Sequence, residues 1–216
     1  IELIEAHFDK LVAANALPVT LGGDHTITLP ILRALTRKHG PMALVHVDAH
    51  ADINDEMFGE KVAHGTIFRR AIEEELVNPQ HMFQIGLRAT GYTADDFDWS
   101  RQQGATIVPA EECWYQSLGP LMARVRSVVG PDLPTYLSFD IDGLDPSVAP
   151  GTGTPEPAGL SAAQGLEIIR GCFGLNLVGA DLVEVSPPYD TSGNTALLAA
   201  NLVFEMLCSL PGCQRR

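Results

Sequence analysis

Three features of the sequence predict an α/β fold, three layers deep, with a mostly parallel central sheet between two layers of helices. Short apolar, β-branched runs alternate with longer segments of helical periodicity. The runs are apolar throughout rather than at every second position, as strands covered on both faces are. No fixed-period repeat or low-complexity linker breaks the alternation, so residues 1–216 are expected to form one domain.

The elements follow in order. Ile4, Phe8, Leu11 and Val12 share a helical face at the start of the chain. That start is Ile1, without an initiator Met, and an N-terminal part of the natural protein is expected to be missing. A strand near Val19–Leu21 precedes a helix over Ile27–Lys38, and a strand near Ala43–Val47 precedes a helix over Ile67–Leu76. Strands near Phe83–Leu87 and Thr106–Val108 lead to a helix over Gln116–Val129, where Leu118, Leu121, Met122, Val125 and Val129 recur at core spacing. A strand near Thr135–Phe139 is followed by the Pro/Gly-rich stretch Pro146–Gly159, long enough to be a functional loop. Ser161 and Gln164 form a capping box ahead of a helix over Ala162–Gly171. A strand near Val178–Val183 and a helix over Thr195–Leu210 complete the chain.

Composition narrows the function. Lys+Arg 14 against Asp+Glu 27 gives a net charge of -13, which argues against nucleic acid and against anionic membranes as partners. No stretch has the ~20 consecutive apolar residues of a membrane span. Four cysteines, Cys113, Cys172, Cys208 and Cys213, include no C-x-x-C pair and read as small core-filling thiols in a reducing compartment.

In open α/β sheets ligands bind beyond the carboxyl ends of the strands. The first strand runs into Gly22-Gly23-Asp24-His25, the second into Asp48-Ala49-His50-Ala51-Asp52, the fifth into Asp140-Ile141-Asp142 and the sixth into Glu184. Alternate residues of an extended segment point the same way, so Asp48, His50 and Asp52 can converge, as can Asp140 and Asp142. D-x-H-x-D or D-x-D alone also fits a surface turn. Both together with G-G-D-H, each at a strand end, point to a metal centre. So many carboxylates in a partly buried cleft need compensating cations, and two divalent ions would supply them. Carboxylates with two imidazoles suit Mn²⁺ better than a thiolate-type zinc site.

These stretches resemble the ureohydrolase superfamily, which holds arginases, agmatinases and their guanidino-acid relatives. The resemblance is carried by Leu21–His25, His46–Asn54, Ser138–Pro146, Pro150–Glu156 and Asp181–Pro187, and it is strongest to the agmatinase branch with its guanidinobutyrases. It implies the arginase-like fold, a single ureohydrolase catalytic domain over 1–216, and an initial strand lying before Ile1. It also implies that His25, Asp48, Asp52 and Asp140 hold one Mn²⁺ and that His50, Asp48, Asp140 and Asp142 hold the other. Asp52 would pass a proton, His64 would act as proton shuttle, and Glu184 would pair with the guanidinium. The implied reaction hydrolyses the guanidino C–N bond of a small compound to urea and an amine. His46 is expected in the core or in support of the ligands.

Two other metallohydrolase classes fit the sequence less well. A metallophosphoesterase needs histidines downstream of His81, where the chain has none, and a zinc amidohydrolase needs an H-x-H pair. A catalytically inactive subunit acting as an interaction partner is the alternative that the intact ligand set argues against. For the substrate, the general resemblance favours agmatine, which would give putrescine. Asn54, placed like the arginase Asn that helps bind a carboxylate, favours a guanidino acid such as 4-guanidinobutyrate. Both stay open at this point. Family members are commonly trimers or hexamers, so a homo-oligomer is expected, in the cytoplasm or mitochondrial matrix rather than secreted.

Overall fold

The computed structural model describes residues 1–89 and 97–213. Six parallel strands form one sheet: β1 Val19–Leu21, β2 Met42–Val47, β3 Val77–Leu87, β4 Thr106–Pro109, β5 Pro134–Asp140 and β6 Asn176–Val183. Among the described residues seven α-helices accompany them: α1 Glu2–Ala13, α2 Thr28–His39, α3 Ile67–Glu73, α4 Asp98–Gln103, α5 Gly119–Val129, α6 Ala162–Gly171 and α7 Asn194–Ser209. Each expected strand and helix is present. Helix α5 starts later than the periodicity implies because Pro120 sits in its first turn, a position that suits a residue without an N–H. Ser161 caps α6 as expected, with its backbone N–H donated to Gln164 Oε1 at 2.9 Å.

The strand order is β1-β6-β5-β2-β3-β4. Neighbours β2 and β5 send their chains in opposite directions, β2 onward to β3 and β5 onward to β6. The crevice beyond their carboxyl ends is therefore a topological switch point, where ligands collect in open α/β sheets.

Alternation along the strands divides the core between the two faces. Ala43, Val45, Val47, Leu137 and Phe139 pack against Met122 and Val125 of α5, Ile168 and Ile169 of α6, and Leu202 and Met206 of α7. Met42, Leu44, Met82, Tyr136 and Val178 pack against Phe8 of α1, Leu29, Leu32 and Leu35 of α2, and Phe68 of α3. The three-layer expectation holds. No described helix is long and apolar enough to cross a membrane.

Three further local features depart from the sequence reading. Helix α4 was not foreseen, being six largely polar residues with no apolar repeat. Strand β3 begins at Val77, well before Phe83, and carries Pro79 in a stretch where its register against β2 shifts; an irregular ladder can tolerate a residue without an N–H. Cys113 and Cys172 are buried as expected, whereas Cys208 is half-buried and Cys213 is exposed in the turn after α7, so these two do not fill the core.

Candidate metal centre

The strand ends bring the candidate residues together at the switch point. Asp48 follows β2 and Asp140 ends β5, and Gly143 makes their close approach possible: a Cβ there would meet the Asp48 backbone nitrogen at 3.0 Å. Asp52 and Glu184 hold left-handed backbone conformations, φ 54° and φ 63°, which ordinary residues avoid. Such strain concentrates at functional sites, and here both side chains line the same cavity.

One group centres on His25, in the 3₁₀ turn after β1. Its Nδ1 lies 3.4 Å from Asp48 Oδ2, 3.0 Å from Asp52 Oδ2 and 3.3 Å from Asp140 Oδ2. A second group centres on His50, whose Nδ1 lies 3.3 Å from Asp48 Oδ1 and 3.1 Å from Asp142 Oδ2. Asp48 thus offers one oxygen to each group. Thr154, from the Pro/Gly-rich loop, donates to Asp142 Oδ2 at 3.2 Å.

Hydrogen bonding beneath the centre fixes how His25 faces it. Ser138 donates its one hydroxyl proton to Asp181 Oδ1 at 2.7 Å, so the Ser138 oxygen accepts from His25 Nε2 at 2.8 Å. Asp181 is in turn held by Thr28 and Tyr136. With the ring proton on Nε2, the Nδ1 lone pair is buried, without a hydrogen-bond partner, and aimed at three carboxylate oxygens. Only a cation or a second proton relieves that repulsion. The donor set of oxygens and imidazole nitrogens fits divalent cations: Asp48, His50 and Asp142 offer ligand atoms within 4.8 Å of one another, as do His25, His46 and Asp48.

The electrostatics point the same way. Burial pulls His25 down, but Asp140, Asp48 and Asp52 outweigh it and leave the imidazole well above its ordinary pKa. Burial likewise opposes His50, yet Asp142 and Asp48 raise it to about 11. Asp140 is pushed well up by burial and by the charges of Asp142 and Asp48. Asp142 is raised by burial and by Asp48. Asp48 is favoured in its charged form by the imidazoles of His25, His46 and His50 around it, which outweigh burial and hold it well below the usual carboxylate range. His50, raised to about 11, carries a proton at neutral pH in the metal-free protein, and a cation must displace it. Adding Mn²⁺ at pH 7 is therefore expected to release protons, measurable in a pH-stat, and apparent affinity should weaken as pH falls. Metal uptake without proton release would contradict these assignments.

Above the carboxylates lies a cavity of about 390 Å³, lined in part by His25, His50, Asp52, Asn54, Met57, Phe58, His64 and Glu184. Glu184 Oε1 accepts the His25 backbone N–H at 2.6 Å, and burial raises the pKa of its carboxyl. His64 is half-exposed at the rim, its Nδ1 3.7 Å from Asp24 Oδ2. Asn54 donates both its backbone N–H and its side-chain amide to Gly65 O, each at 3.0 Å, which anchors His64 beside the cavity. Sequence reasoning missed Arg88. Its half-buried guanidinium donates to the carbonyls of Asp142, Gly143, Leu144, Glu156 and Pro157, tying the Pro/Gly-rich loop to the turn that carries Asp142.

His46 is buried against Asp48 as expected, but sequence reasoning missed the polar row across the sheet to which it belongs. Gln84, His46, Ser138 and Asp181 are successive cross-strand partners on β3, β2, β5 and β6, all wholly buried. Two of them stand two residues before Asp48 and Asp140. Single polar residues inside apolar strands, two positions ahead of a carboxylate, were the available signal.

Comparison with known proteins sets these features in context. The sequence profile of the arginase family matches residues 1–208. The chain is 66% identical over 216 residues to a guanidinobutyrase of Pseudomonas aeruginosa, covering 100% of this chain and 67% of the relative. It is 60% identical over 208 residues to a mitochondrial guanidino acid hydrolase of Homo sapiens, covering 96% and 59%. A mitochondrial agmatinase of Gallus gallus is 60% identical over 209 residues, covering 97% and 61%. Among solved structures, proclavaminate amidino hydrolase from Streptomyces clavuligerus superposes with a TM-score of 0.88 at 40% identity, over 95% of this chain and 69% of that one. The chain thus spans about six tenths to two thirds of the length of the curated relatives it matches.

Proposed function

The chain belongs to the arginase family, and from that membership we propose that it is a ureohydrolase that uses two Mn²⁺ ions to cleave a small guanidino compound into urea and an amine. The observation that carries the reading is the buried His25 Nδ1 lone pair facing three carboxylates, with the His50 group beside it. In the proposal His25, Asp48, Asp52 and Asp140 hold one ion, and His50, Asp48, Asp140 and Asp142 hold the other. When bound, such a pair supplies Lewis-acid activation of water near neutral pH.

The chain's own groups do the rest. Glu184 faces the cavity and matches the planar N–H edge of a guanidinium with its two oxygens. The same carboxylate accepts the His25 backbone N–H, which would hold it in a fixed place relative to the His25 group. Asp52 lies against both the His25 group and the cavity, placed to accept a proton from the attacking water. The departing nitrogen must gain a proton as the C–N bond breaks. His64, at the rim beside solvent, is placed to deliver it.

For the substrate we favour a guanidino acid of the 4-guanidinobutyrate kind, supported by the 66% identity to a guanidinobutyrase. Asn54 lines the cavity, and one amide N–H beyond that given to Gly65 could meet the carboxylate. Agmatine is the second reading, supported by the agmatinase relative and by the lack of Lys or Arg among the described cavity-lining residues. A homo-oligomer, trimer or hexamer, in the cytoplasm or mitochondrial matrix accompanies the proposal.

Urea release by the Mn²⁺-loaded protein on 4-guanidinobutyrate, 3-guanidinopropionate, agmatine and arginine tests it. We expect 4-guanidinobutyrate to be turned over fastest. Preference for agmatine would replace the first substrate with the second. Silence on all four with two ions bound would favour the inactive interaction subunit.

A further inference from the structure

His46 is wholly buried and has no step in the reaction above, yet both of its ring nitrogens are engaged. Gln84 Nε2 lies 3.0 Å from His46 Nδ1, and His46 Nε2 lies 2.8 Å from Asp48 Oδ2. The Gln84 amide is oriented independently of His46. Its Oε1 accepts from Ser100 Oγ at 3.0 Å, and its Nε2 donates to Ala51 O at 2.8 Å. An amide nitrogen only donates, so His46 Nδ1 accepts and the ring's proton sits on Nε2, directed at Asp48. Phe68 packs on the ring at 4.2 Å between centroids and limits its rotation. The other Asp48 oxygen accepts the His50 backbone N–H at 2.6 Å, so the carboxylate is gripped from both sides.

From these contacts we propose that His46 is a positioning residue that locks the Asp48 carboxylate in the orientation both metal groups share, with Gln84 and Ser100 setting its tautomer. The inference rests on the two-cation reading of the centre. A carboxylate that serves two cations must present each oxygen in a separate direction, and free rotation about its last bond would lose one of them. Ser100 belongs to α4, just beyond Phe97 in the cavity wall, so the relay Ser100–Gln84–His46 also ties that wall to Asp48. Neither Gln84 nor Ser100 contacts a candidate metal-ligating carboxylate directly in the described hydrogen bonds, and their buried polarity is accounted for by this relay.

A packing role and a positioning role differ in what rescues them. His46→Phe keeps a ring against Phe68 but removes the donor to Asp48. His46→Gln loses the ring and carries an amide N–H about as far as Nε2. Mn²⁺ affinity, read from free Mn²⁺ by electron paramagnetic resonance, is expected to fall 10- to 100-fold in His46→Phe and to recover most of that loss in His46→Gln. If the Phe variant does not fold, His46→Asn serves in its place, since its shorter amide stays near Gln84 and falls short of Asp48. In the metal-free wild type, imidazole ¹⁵N shifts should show His46 protonated at Nε2 and bare at Nδ1. Unchanged affinity in the folded donor-free variant, equal weakening in the donor-free and Gln variants, or the opposite tautomer would each overturn the proposal. Asp48→Asn separates it from the reading beneath: if that variant binds Mn²⁺ as the wild type does, the metal assignment fails, whatever His46 does.

Discussion

Asp140→Asn is expected to reduce urea release about 10³-fold, the factor that ~4 kcal/mol of lost transition-state stabilisation gives. It should also make the metal-free protein melt higher. Both outcomes come from one cause. Asp140 is shared between the two proposed sites, so removing its charge weakens both. In the metal-free protein the same charge is a burden, because burial, Asp142 and Asp48 hold its pKa well above the ordinary carboxylate value. A carboxyl raised on folding destabilises the fold as pH climbs from its unfolded pKa through its folded pKa. At neutral pH that cost is present, and a neutral amide removes it. Asn keeps the shape and can still accept the Asp142 N–H that Asp140 Oδ1 accepts at 2.9 Å. Calorimetry with and without Mn²⁺ should show the metal-free Tm rise and the metal-induced increment shrink. A variant with full activity, or one whose metal-free Tm falls, would contradict the shared-carboxylate assignment.

Glu184→Gln should separate substrate recognition from metal binding. The amide oxygen can still accept the His25 backbone N–H, so the turn that positions His25 should persist. The substitution removes the charge that would face the guanidinium. Charge-assisted hydrogen bonds are worth ~1.5–3 kcal/mol, so kcat/KM should fall about 10²-fold. Mn²⁺ content by elemental analysis should stay at the wild-type level. Loss of metal together with activity would place Glu184 in the centre's support rather than at the substrate.

The fold was legible in the sequence to the extent that local pattern determines it. Apolar β-branched runs such as Ala43–Val47 and Thr135–Phe139 leave few alternatives to buried strands. Helix α4 escaped because Asp98–Gln103 has neither length nor apolar spacing. The candidate site was legible for a related reason: strand ends crowd carboxylates into i, i+2 spacing, which a single sequence displays. Its support was not. Gln84 and His46 are adjacent only because β3 pairs with β2 in one register, and Asp181 reaches His25 only through Ser138 on a third strand. Such contacts depend on pairing between distant segments, and no local pattern encodes them. Arg88 was missed similarly, since a cation that binds carbonyl groups rather than acids has no sequence signature.

The pairing of β2 with β5 also bears on how the chain reaches this state. The Ala49 N–H that meets Asp142 Oδ1 at 3.1 Å spans 93 residues, and β3, α4, β4 and α5 all lie within that span. Closing so long a loop is entropically costly and slow relative to forming a helix or pairing β2 with β3. During synthesis, Asp48 and His50 leave the ribosome well before Asp140 and Asp142. The nascent chain has the β2 half of the centre long before it has the other, and cations can help only once β5 has docked. Metal at the proposed centre would therefore act late in folding, trapping the finished sheet and slowing its opening while doing little to speed the first collapse.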